Sequence, residues 1–112
     1  MDYNEHFQLA ICTCPNQEIA ESIAENIVAQ RLAACVNIVS GVKSIYQWQG
    51  NIESGQEIIL LIKTHKDKYE SLQNTITNMH PYEVPELIAV DINQGLPEYL
   101  NWVANSVFDK RN

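Results

Sequence analysis

Apolar residues along this chain switch between a two-residue period and one of roughly 3.6 residues, and the switches mark its elements. From Phe7 to Cys14 the pattern alternates: Phe7, Leu9 and Ile11 share one face, and Ala10, Cys12 and Cys14 the other. This predicts a first strand, stopped by Pro15. Asn16 is placed to N-cap a helix running to about Arg31, with the stripe Ile19, Ala20, Ile23, Ala24, Ile27 and Val28. A long second strand follows from Cys35 to about Trp48, with a bulge or bend at Ser40-Gly41. Gln49-Gly50-Asn51 reads as a hairpin turn, with Gly50-Asn51 as a favoured turn pair. The third strand, about Glu57 to Thr64, is apolar on both faces, with Ile58, Leu60 and Ile62 opposite Ile59 and Leu61. Thr64 to Asp67 has capping-box spacing and opens a helix with Tyr69, Leu72, Ile76 and Met79 on its inner side. Leu87 to Ile92 is a fourth strand. Pro97 suits the first position of a last helix whose stripe is Leu100, Val103 and Val107, widened by Trp102 and Phe108.

The resulting order is β-α-β-β-α-β plus a terminal helix, the α+β split arrangement of ferredoxin-like folds. Right-handed crossovers put both long helices on one face of a four-stranded antiparallel sheet. One short terminal helix cannot cover the other face, so the doubly apolar third strand predicts burial against further copies of the chain. The long hairpin around Trp48 fits the same expectation. The chain, residues 1–112, reads as a single domain with flexible ends at 1–6 and 109–112.

Charge narrows the partners. Acidic residues outnumber basic ones 14 to 7, which leaves too few cations to displace counterions from a nucleic-acid backbone. The same excess argues against an anionic membrane surface, and no apolar run approaches a membrane span. The polar, acidic stretch Met1 to His6 lacks a signal pattern, and three cysteines is an odd count. A cytosolic protein with reduced thiols is the expectation.

The chemistry concentrates at His80-Pro81-Tyr82-Glu83-Val84-Pro85-Glu86, between a helix pattern and a strand pattern. Each proline pushes its predecessor into extended backbone, so the segment is a stiff elbow. It reads either as a rigid turn with a histidine favourable at a helix C-terminus or as a platform for an imidazole ligand. Met79 beside His80 would add a thioether, and a nearby cysteine would complete a soft set suited to copper. Met79 also fits the helix stripe as a core residue. Cys12 and Cys14 project from one face of their strand, a poor structural zinc site by themselves, and each reads first as a small buried hydrophobe. Cys35 opens the second strand and lies beside the first only in some registers. Lys63 either snorkels at its strand end or faces a pocket, where it would bind an anion or pair with Glu83 or Glu86. Trp48 and Tyr82 could wall that pocket or serve as interface aromatics. His6 and His65 read as solvated surface residues. With four glycines there is no phosphate loop, and no nucleophile sits with a base at helical spacing, so an enzyme is not expected.

Leu32-Ala33-Ala34-Cys35-Val36-Asn37, Tyr46-Gln47-Trp48-Gln49-Gly50, Ile62-Lys63-Thr64, the elbow itself and Tyr99-Leu100-Asn101-Trp102 together resemble the CutA divalent-cation tolerance family, over about Phe7 to Val107. The resemblance implies a cytosolic homotrimer tied to tolerance of copper and other heavy metals. It implies a copper site at the positions of Cys12, Met79 and His80, where Met79 stands in place of a family histidine and favours Cu(I). It also implies pockets between subunits that involve Cys35, Trp48, Lys63 and Tyr82.

Two functions follow as expectations. The first is a metal-binding tolerance protein, with Cys12 and His80, and Met79 beside them, as ligands for copper or another divalent metal. The alternative is a trimeric scaffold similar to the PII signalling proteins, binding a small anion in clefts lined by Lys63, Tyr82 and Glu83.

Overall fold

Strand β1 (Phe7–Cys14) is the inner partner of two antiparallel neighbours, and everything else is hung on it. The computed structural model describes residues 6–108, so the ends expected to be flexible lie outside the described residues, except His6, whose carbonyl accepts the Lys66 N–H at 2.7 Å. Asn16 caps α1 (Gln17–Ala29) as expected, its side chain accepting the Ile19 N–H at 2.9 Å. The helix stops two residues before the predicted Arg31, because Arg31 itself takes a left-handed φ of 61° and turns the chain toward β2.

β2 (Cys35–Trp48) and β3 (Asn51–His65) form one long antiparallel hairpin, with the expected bulge between Val39 and Val42. Gly41 sits in that bulge at φ 77°. The hairpin turn is Gln49-Gly50, one residue earlier than predicted: Trp48 pairs with Asn51, and both turn residues have positive φ, as a type I′ turn requires. β3 therefore begins six residues before the expected Glu57. The distal half of the hairpin projects from the sheet, and the molecule measures 51 × 25 × 23 Å.

The predicted capping box at Thr64 is not formed. Thr64 faces the helices and donates to the Leu32 carbonyl at 2.7 Å, while His65 caps a short 3-10 turn, Lys66–Lys68, by accepting the Asp67 N–H. His65 is also 1% exposed, packed edge-on against Phe7 and Phe108, and not the surface residue its sequence context suggested. Helix α2 (Tyr69–Met79), β4 (Leu87–Asp91) and α3 (Pro97–Val107) complete the chain.

The sheet order is β2-β3-β1-β4. Its inner face carries Ala10, Cys12, Cys14, Ile58, Leu60 and Ile62 against Ala20, Ile23 and Ile27 of α1 and Leu72 and Ile76 of α2. Each fully buried aliphatic side chain there contributes about 1.5–3 kcal/mol. On the outer face α3 covers only one end, where Leu100, Val103 and Ala104 pack on Phe7. The rest is open: Ile11 pairs with Leu61 and Ile88, Leu9 with Val90, and Val39, Ile88 and Val90 are 40–53% exposed.

Candidate metal centre

Alternation along β1 sends the side chains of Cys12 and Cys14 to the inner face, one above the other. The β1–β4 register sets Leu87 opposite Cys12, so the chain entering β4 must pass the end of β1. That entering chain is the elbow. α2 ends at Met79, and His80 is extended at φ −80°, ψ 138°, as its proline neighbour demands. The outcome is a buried cluster in which one ligand atom each from Cys12, Cys14 and His80 lies within 4.8 Å of the others. Both cysteines are fully buried and His80 is nearly so.

The imidazole has defined hydrogen bonds. The Tyr82 N–H donates to Nδ1 at 3.1 Å, and Nε2 lies 2.7 Å from the Thr13 carbonyl. An amide can only donate and a carbonyl can only accept, so His80 is the neutral tautomer with its proton on Nε2. The ring thus ties the elbow to β1.

The two thiols are electrically unequal. The Cys12 pKa is pushed far up by its side-chain hydrogen bond with Cys14, then by burial and by the charges of Cys14, Glu86 and Glu57. The same hydrogen bond lowers Cys14, against the opposing effects of burial and Glu57. Cys14 is therefore the readier thiolate. Cys12 also lies 3.7 Å from the Thr13 carbonyl. The surrounding carboxylates are engaged: Glu57 accepts from Ser44 and, at 3.0 Å, from the Tyr82 hydroxyl, and Glu86 accepts from the Thr13 hydroxyl at 3.5 Å. Desolvation and the bond to Glu57 push Tyr82 up to about 12.

Two cysteines and a histidine are a fitting donor set for a soft or borderline ion, since ligand atoms about 2.0–2.3 Å from one metal lie within about 4.6 Å of each other. Met79 is half-buried and packs against the inner core. Cys35 stands opposite Lys63 on β3, away from β1, and belongs to the outer face. Lys63 bonds Asn37 there. Trp48 is 61% exposed at the hairpin tip, and Glu83 is exposed on the elbow. Along β3, Lys63 and the Tyr82-bound Glu57 are six residues apart, about 20 Å. One chain therefore does not gather Cys35, Trp48, Lys63, Tyr82 and Glu83 into one pocket. The residue that sequence reading left aside as a ligand is Cys14. The available signal was its shared face with Cys12 and an elbow forced past it by antiparallel pairing.

A model of the CutA1 divalent ion tolerance protein family matches residues 8–106. The divalent-cation tolerance protein CutA of Thermus thermophilus is 45% identical over 96 residues, 86% of this chain and 93% of that protein. Protein CutA of Mus musculus is 46% identical over 94 residues, 84% of this chain but 53% of its own, so the chain spans about half the length of this curated relative. Among solved structures, CutA1 from Oryza sativa superposes with a TM-score of 0.92 at 37% identity, covering 95% of this chain and 97% of that one. CutA from Xylella fastidiosa gives 0.89 at 44% identity, covering 91% and 98%.

Proposed function

This chain belongs to the CutA1 divalent ion tolerance protein family, and from that premise we propose that it binds copper or another heavy-metal ion at the end of β1 and so contributes to metal-ion tolerance. One observation carries the reading: the buried convergence of Cys12, Cys14 and His80. Two thiols and an imidazole brought together out of solvent are donors of the kind a soft-metal site needs. Sulfur and imidazole suit copper and zinc better than magnesium or calcium, which take oxygen.

The working unit in this proposal is a homotrimer. The open outer face, with Ile88 and Val90 more than half exposed, and the projecting hairpin with Ile45, Trp48 and Ile52 supply the apolar surface that subunits would bury. A cytosolic, reducing setting is supported by Cys12, Cys14 and Cys35, none of them in a disulfide. Among the described residues no helix is long and apolar enough to cross a membrane.

Thermal unfolding with and without added copper tests the site. A ligand at a hundredfold excess over its dissociation constant stabilises the folded state by about 2.7 kcal/mol. The wild type should gain several degrees, and Cys12→Ser should gain little. Equal gains in both proteins would place the ion elsewhere.

A further inference from the structure

We infer that residues 81–85 are a lid over the buried thiols, and that the bond from the Tyr82 hydroxyl to Glu57 is its latch, setting how fast soft solutes reach Cys12 and Cys14. This goes beyond the metal-binding reading, because it concerns the route to the thiols and holds for the metal-free protein.

Cys12 and Cys14 are fully buried, so neither sulfur meets a solute until something moves. The strands and helices around them are packed as one core. The elbow is built differently. Residues 81–85 lie in no helix or strand, and among the described residues they form no main-chain hydrogen bond to another main-chain group. Val84, in their midst, is 84% exposed. A segment with so few main-chain bonds opens at a lower free energy than the core beneath it.

The same segment lies against the cluster. The rings of His80 and Tyr82 have centroids 4.7 Å apart. Cys14 adds to the upward push on the Tyr82 phenol, and Glu86 and Glu57 add to that on Cys12. The phenol and both carboxylates therefore stand around the two thiols.

Three side-chain ties hold the elbow down, and they are unequal. His80 donates to the Thr13 carbonyl at 2.7 Å in a buried position, which makes it the hinge. Glu86 accepts from the Thr13 hydroxyl at 3.5 Å, the outer limit of a hydrogen bond. Tyr82 donates to Glu57 at 3.0 Å where water competes for both groups. Glu57 is held ready for it, since its other carboxylate oxygen accepts from Ser44. Pro81 and Pro85 fix the backbone on either side, so 82–84 swing as a stiff piece. Breaking the Tyr82–Glu57 bond frees the outer end of the lid while His80 and the start of β4 stay in place.

Labelling of the metal-free full chain with N-ethylmaleimide, quenched over time and read by peptide mass spectrometry, tests this. The peptide holding Cys12 and Cys14 is followed, with the Cys35 peptide as internal reference. The expected result is labelling of Cys12 and Cys14 about tenfold faster in Tyr82→Phe and in Glu57→Ala, as loss of one hydrogen bond to a charged group implies. The double variant Tyr82→Phe, Glu57→Ala should gain nothing more, because both changes break the same bond. Glu57→Gln should gain less, since its amide oxygen still accepts, and Cys35 should react at one rate throughout. Repeating the labelling in low urea separates lid opening from unfolding: the first hardly depends on urea, and the second rises with the full unfolding slope. Equal rates in wild type and Tyr82→Phe, additive gains in the double variant, an equal rise at Cys35, or a gain that carries the full urea slope each overturns the inference. None of these readings involves a metal, so the metal-binding proposal stands or falls separately on the thermal shift with copper.

Discussion

His80 donates its Nε2 proton to the main-chain carbonyl of Thr13 across 2.7 Å, joining residues 67 positions apart in the chain. This bond closes the elbow onto β1 and stacks the cluster. Removing a buried partner leaves the other group unsatisfied at a cost of about 1–3 kcal/mol. His80→Ala should lose that much in urea unfolding, with a lower midpoint and an unchanged slope. An unchanged midpoint would mean that the imidazole holds nothing together.

Tyr82 gives a prediction at high pH. Its phenol is pushed up to about 12 by desolvation and by the bond to Glu57. Above about pH 10 the unfolded chain gives up this proton while the folded chain keeps it. The stability from this group is therefore complete below pH 10 and is lost as the pH rises through about 12. Urea midpoints across that range should fall less steeply in Tyr82→Phe than in the wild type. Identical slopes would show that Tyr82 is not the group responsible.

Leu60 lies at the centre of the inner face with no exposure, between Cys12 on β1 and Ile38 on β2. Leu60→Ala should cost about 2–5 kcal/mol, because the sheet backbone on both sides prevents collapse into the space left. Chemical denaturation measures it directly. A cost under 1 kcal/mol would contradict the tight packing described here.

Much of this was readable in the residue order. Alternation alone places β1 and β2 with the bounds they have, and the bulge at Gly41 follows from its neighbours. The early start of β3 was hidden, because Asn51 to Gln56 is mostly polar and is a strand only through pairing with Lys43 to Trp48. Thr64 reads as a cap locally, yet its strand face turns it to Leu32. The centre was half legible. The elbow stands out and Cys12 enters only through the family resemblance, while bringing Cys14 to His80 needs the β1–β4 register, which no local pattern encodes.

The outer face makes its own prediction. Ile88 is 53% exposed beside Ile11, whose other cross-strand neighbour is Leu61. Ile88→Glu places a charge where subunits are proposed to meet, and burying an unpaired charge is strongly unfavourable. Sedimentation should show the wild type as a trimer and the variant as smaller species with the same far-UV circular dichroism. A wild type that sediments as a single chain, or a variant that stays trimeric, would exclude this face as the contact.

Native mass spectrometry of the copper-loaded protein tests the central claim most directly, since it weighs subunits and ions together. The account predicts three chains carrying three copper ions, all lost together in the Cys12→Ser, Cys14→Ser double variant. Metal-free wild type after loading, or a double variant that retains the same copper count, would contradict it.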